Sequence, residues 1–405
     1  MPRITGSYVT TAYAGEAVRA FVPRPLPPAA PALDTASYVE QNRRAETALL
    51  RLSGMTGLVA SSEWLIYGAI RREALLTSQL EGTQATLSDL LDEEAGIAVT
   101  NTDDVEEVTN YLRAFKYARA QLSSPTGLPV SVRLLTEAHR ILLAGARGAT
   151  KQPGNVRTTQ NWISGTRPGN ARFVPPPPHE VAQALSDLER FIHDPEPALP
   201  PLVRTALVHA QFETIHPFLD GNGRIGRLLI AVLFEEWKLL PEPLLYMSGF
   251  LKSHQATYYD RLSSIRQGGD WEAWVSFFLE GVEVAAEEAQ RSIVAIAALI
   301  AEDRKRVLAY GTSTLATLRL FELLPTMPKL TVDRAQRALD VSYPTAAKAI
   351  ENLEEAAVLR ETTGRARNQS FSYARYVELL RGEPAATPAS EDAPEFGSES
   401  GAPRP

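Results

Sequence analysis

Apolar and alanine positions recur every three to four residues along most of this 405-residue chain, and short Gly or Pro segments break the pattern. That spacing lays one apolar stripe along each helix. It predicts helices over 37–52, 63–80, 102–122, 130–144, 178–193 and 202–214, with Gly82 as a stop signal after the second. Ile225, Leu228, Leu229, Val232 and Leu233 mark another apolar helical face. From Tyr258 a helical pattern continues through Trp271, Trp274, Phe277 and Phe278 toward Ile300, and these aromatics read as core. The expected fold class is mainly α.

Three stretches depart from that pattern. Residues 161–174 hold two short β-prone pieces around a Gly/Pro/Asn turn, which predicts a hairpin ended by the prolines at 175–178. Residues 21–33 are proline-rich and predict an extended arm on the surface of the helical body. Within 315–375, three helical patterns precede two short strand patterns around Gly364, the order of a small winged helix-turn-helix domain. The expected organisation is an extended arm over 1–36, an amino-terminal helical region over 37–125, a core over 126–285, a linker helix over 286–314, the winged-helix module over 315–380 and a disordered Pro/Ala/Ser/acid tail over 381–405.

Composition narrows the chemistry. The chain has no cysteine, so disulfides, thiolate catalysis and cysteine-ligated zinc are excluded. Its six histidines show no HExxH spacing, and no serine-nucleophile elbow is present. No signal-peptide core and no apolar run of about 18 residues occurs, so the expectation is a cytoplasmic protein without membrane insertion. A net charge of −7 gives no overall footprint for nucleic acid. The winged-helix region, 331–370, balances six Arg or Lys against six Asp or Glu, which favours protein contact or a homodimer over DNA without excluding DNA.

Residues 216–227 read HPFLDGNGRIGR and contain G-x-G-x-x-G. In a dinucleotide fold that pattern follows a strand, whereas here a helical pattern precedes it and no strand pattern follows at the required distance. What remains is a helix, a tight loop and a second helix. The first free N–H groups of that second helix, at Gly221 to Arg224, form an anion-binding terminus. Arg224 and Arg227 share one side of its first turn and suit consecutive phosphates. Asp220 would repel phosphate unless a cation such as magnesium sat between them. His216 is a suitable base near neutral pH.

His216, Phe218, Asp220, Gly221, Asn222, Gly223, Arg224 and Arg227 match the Fic motif HxFx(D/E)GNGRxxR without departure, and most of residues 1–285 resembles Fic proteins with an amino-terminal regulatory helix. The resemblance implies a helical bundle with a hairpin flap and transfer of AMP from ATP to a protein Tyr, Ser or Thr hydroxyl, the chain itself included as a target. It implies that His216 deprotonates the acceptor, Asp220 holds Mg2+, and Gly221, Asn222, Gly223, Arg224, Ile225, Gly226 and Arg227 form the ATP-binding stretch. Phe218 anchors the loop in the core. By the same resemblance the flap, with Asn161, Trp162 and Ile163, pairs with an extended target segment. Tyr259 either lines the base pocket or packs in the core.

Thr77-Ser-Gln-Leu-Glu81-Gly82 matches the family's inhibitory motif (S/T)xxxE(G/N). The resemblance implies that Glu81 pairs with Arg227 and keeps the γ-phosphate from seating. Two alternatives stay open. Glu81 could align a water that removes AMP, making the enzyme bifunctional, or the chain could be a DNA-binding regulator acting through its carboxy-terminal module.

Overall fold

The structure, a computed structural model, describes residues 3–13, 15–58, 61–145, 147–365 and 368–382. The expected tail beyond 382 lies outside them. Strands β1 (Gly6–Tyr13) and β2 (Glu16–Pro23) pair antiparallel from Gly6 opposite Pro23 to Tyr13 opposite Glu16. This corrects the extended arm expected over 1–36. The prolines cluster only from Pro23 onward, so the backbone N–H groups before it remain free for a ladder, and Val18 and Ala20 bury one face while Phe21 is buried on the other.

Helices follow: α1 (Val39–Gly54), α2 (Ser62–Leu80), α3 (Leu87–Glu94), α4 (Thr102–Ser123) and α5 (Val132–Leu142). Their starts follow side-chain caps, since Ser61, Thr86 and Ser131 accept from backbone N–H groups of the first turns of α2, α3 and α5. The core continues with α6 (Pro178–Ile192), α7 (Pro201–Ile215), α8 (Asn222–Glu236), α9 (Ser248–Ser253) and α10 (Gln255–Gly268). Every residue of α7 from Leu202 to Ile215 is buried. A helix covered on all sides holds its ends rigidly, and the candidate loop hangs from the carboxyl end of this one.

Helix α11 (Trp271–Ala309) runs unbroken for 39 residues. The expected linker over 286–314 is therefore mostly the second half of one helix, whose buried Trp274 donates to the Ala206 carbonyl of α7 at 2.8 Å. Beyond it stand α12 (Leu315–Leu323), β3 (Lys329–Thr331), α13 (Val332–Leu339), α14 (Tyr343–Glu355), β4 (Arg360–Glu361), β5 (Ser370–Ser372) and α15 (Ala374–Arg381). The three strands form an antiparallel sheet in the order β3-β5-β4. This unit grips the helices before it: Tyr376 of α15 donates to the Trp64 carbonyl of α2 at 3.3 Å, and Lys329 pairs with Asp92 of α3 at 2.7 Å. The fold is mainly α with small antiparallel sheets, as expected.

The hairpin expected over 161–174 shrinks to a single bridge between Ile163 and Phe173. Its turn is a short helical turn at Pro168–Asn170, with the Asn170 side chain accepting from the Thr166 and Arg167 N–H groups at 3.1 and 3.0 Å. The base of this flap rests on the amino-terminal hairpin, where Phe21 N–H donates to Val174 O at 3.0 Å and Trp162 meets Tyr13 edge to face at 5.9 Å.

Candidate active site

Helix α7 stops because His216 adopts a left-handed conformation, φ 50°, which ends the hydrogen-bond ladder. The chain enters α8 through Gly221 at φ 74°, a region where only glycine sits without cost. Between these points the loop is clasped from within. The Asn222 side chain accepts from Phe218 N–H and donates to Phe218 O, both at 2.8 Å. Phe218 is buried and stacks on His139 at 3.8 Å. The Nδ1 of His139 accepts from Gly154 N–H at 2.9 Å, which leaves Nε2–H to donate to Asp220 O at 3.1 Å.

Two side chains from the segment before the flap complete the clasp. Buried Arg157 donates from Nε to His216 O at 2.9 Å and from Nη2 to Pro176 O at 2.6 Å. Asn161 donates to Phe218 O at 3.0 Å. The Asn161 side chain thus faces the loop rather than an incoming target, in contrast to the docking role expected for it. His139, Arg157 and Asn161 as loop supports have no signature in the sequence, because their partners are backbone carbonyls that any residue supplies.

Within a cleft of about 410 Å3, His216, Gly223 and Arg227 meet Glu81, Tyr259, and the flap residues Trp162 and Ile163. Arg227 is 2% exposed. Its Nη2 donates to Glu81 Oε1 at 2.5 Å and to Thr77 O at 3.1 Å, and its Nε donates to Thr77 Oγ1 at 2.5 Å. Burial opposes the charge on Glu81, but the neighbouring Arg227 outweighs it and holds that carboxyl below the usual range. Any Cβ at Gly223 would collide with Glu81 Oε1 and the Arg227 guanidinium. Burial, and then the charge of Arg157, push His216 down to about 4, so its ring is neutral at pH 7.

The other half of the motif lies elsewhere. Asp220 and Arg224 line a second pocket together with Asp103, Glu106, Glu107 and Arg147. Arg224 donates from Nη1 to Glu107 Oε2 at 3.2 Å, and its Nη2 stands 3.7 Å from Asp220 Oδ1. Glu107 is shared, since Thr83 Oγ1 and Arg147 Nη1 also donate to it, each at 3.1 Å. Ile225 is fully buried in the core and Gly226 packs on His209 and Glu213, so neither lines the cleft with which the motif grouped them. The α8 helix turns them toward α7. Tyr259 is 36% exposed at the cleft, which favours the lining position over core packing.

Residues 39–120 match the Fic/DOC family N-terminal region, and residues 129–234 match the Fic/DOC family. Among curated relatives, protein adenylyltransferase fic-1 of Caenorhabditis briggsae is 30% identical over 128 residues, 31% of this chain and 24% of the relative. Protein adenylyltransferase Fic of Drosophila grimshawi is 26% identical over 208 residues, 50% of this chain and 39% of the relative. The matched stretches thus span well under half the length of these relatives. In fold, the chain is similar to a Fic family protein from Desulfovibrio desulfuricans G20, 21% identical with a TM-score of 0.55, over 84% of this chain and 97% of that one. A Fic domain containing signaling protein from Bacteroides thetaiotaomicron VPI-5482 is 18% identical with a TM-score of 0.51, over 64% and 96% of the two chains.

Proposed function

This chain belongs to the Fic/DOC family through its N-terminal and Fic domains, and from that premise we propose that it transfers AMP from ATP to a Tyr, Ser or Thr hydroxyl of a protein, itself included, releasing pyrophosphate. The observation that carries this reading is the meeting of a neutral His216, Gly223 and Arg227 in one cleft at the amino end of α8. His216 takes the proton of the acceptor hydroxyl. The freed oxygen attacks the α-phosphorus. Backbone N–H groups at the start of α8 and the Arg227 guanidinium meet the charge that builds on the phosphates. Tyr259 borders the space open to the base.

Magnesium fits this donor set. Asp220 offers one carboxylate, 46% exposed, beside the phosphate terminus, and this ion typically takes one or two carboxylates and completes its shell with phosphate oxygens and water. Among the described residues no cluster of three or more His, Asp or Glu would hold a metal by itself. When bound there, it would neutralise phosphate charge.

The resting enzyme is braked. Glu81 occupies the guanidinium that the γ-phosphate needs and presents its own negative charge to that phosphate. Glu107 occupies Arg224 in the same manner from α4. The flap presents Ile163 and Trp162 to the target segment. Against DNA binding, Lys348 of α14 already pairs with Glu351 at 2.9 Å. Among the described residues no helix is long and apolar enough to cross a membrane. Intact-mass analysis of the Glu81→Gly protein after incubation with ATP and Mg2+ tests the reading. A mass gain of one AMP, on the enzyme or on an added target, is expected; its absence on every protein of a cell lysate refutes AMP transfer.

A further inference from the structure

One buried titratable side chain in the cleft has no part in the transfer scheme above. Glu213 lies three residues before His216 at the end of α7, and its Oε2 stands 3.9 Å from His216 Nδ1. His216 Nδ1 and Glu213 Oε1 are buried without a close hydrogen-bond partner, and the backbone carbonyl of Glu213 also favours a proton on the ring. Such orphaned polar atoms carry a desolvation cost that a fold does not accumulate without reason. Room for the carboxyl is made by Gly226, where a Cβ would come within 2.5 Å of Glu213 Oε1. Because Nδ1 is the covered nitrogen, Nε2 is the one left to face the cleft.

We propose that Glu213 is a positioning residue for the base, accepting the Nδ1–H of His216 and stabilising the imidazolium that forms when the ring takes the acceptor's proton. This rests on the AMP-transfer reading. In the step concerned, the acceptor O–H bond breaks and its proton goes to Nε2. The oxygen bonds to the α-phosphorus, the bond from that phosphorus to the bridging oxygen breaks, and pyrophosphate leaves with the electron pair. His216 then carries one positive charge, with Nδ1–H directed at Glu213. A closure of about 1 Å completes the hydrogen bond, and catalytic pairs are commonly this loose before substrate arrives. A carboxylate behind the ring selects the tautomer whose Nε2 is free.

Charge around the pair comes from several elements. Arg227 of α8, Arg266, Tyr258 and Tyr259 of α10, and Glu81 after α2 face Glu213, while Arg157, Arg266, Glu81 and the Glu213 backbone carbonyl face His216. Burial pushes the Glu213 carboxyl up to about 7, with Arg227 opposing and Glu81 adding. Burial holds Arg157 and Arg266 at about 10, Tyr258 is raised further by its own burial, and Glu81 is held low, so none of these titrates between about pH 5.5 and 9. With His216 already neutral above about 4, a rate change near neutrality that Glu213→Gln abolishes reports Glu213. The protonated acid accepts Nδ1–H more weakly than the carboxylate, so transfer rises with pH as Glu213 ionises, around 7 with Glu81 present and lower in Glu81→Gly, which removes a charge that raises it.

The test uses the full chain carrying Glu81→Gly, with and without Glu213→Gln. Expected for Glu213→Gln is a fall in kcat of about 10- to 100-fold at pH 8, part of the ~10²–10⁴ a general base supplies. KM for ATP stays unchanged, the pH step is lost, and Glu213→Asp recovers part of the rate. A merely structural Glu213 predicts the opposite split. Because its carboxyl is raised above the ordinary value of 4.5, the folded state holds its proton more tightly than the unfolded chain, and stability falls as pH rises through that window. Glu213→Gln therefore raises Tm at pH 8 while slowing transfer. Unchanged kcat, or a pH step that survives in Glu213→Gln, overturns the proposal. In parallel, the His216 ring resonances of histidine-labelled protein shift near pH 7 and lose that shift in Glu213→Gln. This arm needs no transfer activity, so an inactive parent contradicts the AMP-transfer reading while the resonances still decide for or against the pair.

Discussion

Arg224 and Arg227 stand three residues apart on α8 and meet different surroundings. Arg227 is 2% exposed and faces the cleft with His216, held by Glu81 and by Thr77 of α2. Arg224 points into a neighbouring acidic pocket, where it donates to Glu107 of α4 and stands 3.7 Å from Asp220. The helix fixes the azimuth of each arginine, but the packed N-terminal helices decide what each one touches. The difference is also one of strength. Arg227 makes three hydrogen bonds, two of them short, whereas the carboxylate holding Arg224 is divided among Arg224, Thr83 and Arg147. The N-terminal region thus covers both guanidinium groups at the start of α8, one tightly and one loosely.

The comparison can be broken most directly at the arginines. In a Glu81→Gly background, Arg227→Ala is expected to lower kcat/KM for ATP by about 10²–10³-fold, the effect of removing one aligned donor to a developing anion. Arg224→Ala, on the pocket wall away from His216, lowers it by about tenfold, near 1.4 kcal/mol of transition-state stabilisation. Equal losses would show that the two arginines move onto one phosphate path once nucleotide binds. Glu107→Gln sharpens the contrast from the other side: in wild-type protein it tightens ATP binding about threefold by calorimetry, a fraction of the ~1.5–3 kcal/mol of a charged hydrogen bond. A change as large as that from Glu81→Gly would make the two contacts equal. Asn222→Ala acts on the loop both arginines share. It leaves Phe218 N–H without its partner, removes one of the two donors to Phe218 O, and lowers stability by about 1–3 kcal/mol in denaturant unfolding.

What the sequence makes legible follows the same division. The helices of the core are readable because their apolar stripes and caps are local: the expected span 63–80 lies within Ser62–Leu80, with Gly82 two residues beyond at φ 101°. The ion pair of Glu81 with Arg227 is readable because both residues belong to spaced motifs. The contact of Glu107 with Arg224 belongs to no motif, and only the packing of α4 on α8 brings it about. The pairing of β1 with β2 is hidden for another reason, since the prolines that follow dominate the composition of the first 36 residues. Arg157 and His139 escape notice because they bind backbone carbonyls on a loop distant in sequence.

The proposed brake of Glu81 on AMP transfer by His216 is met directly by one measurement: incorporation of label from α-phosphate-labelled ATP into protein by the wild type, by Glu81→Gly, and by Glu81→Gly with His216→Ala. The account predicts about 10- to 100-fold more label for Glu81→Gly than for wild type, the worth of a charged hydrogen bond to Arg227, and a return to background when His216 is also removed. Equal labelling by wild type and Glu81→Gly, or labelling that persists without His216, would contradict it.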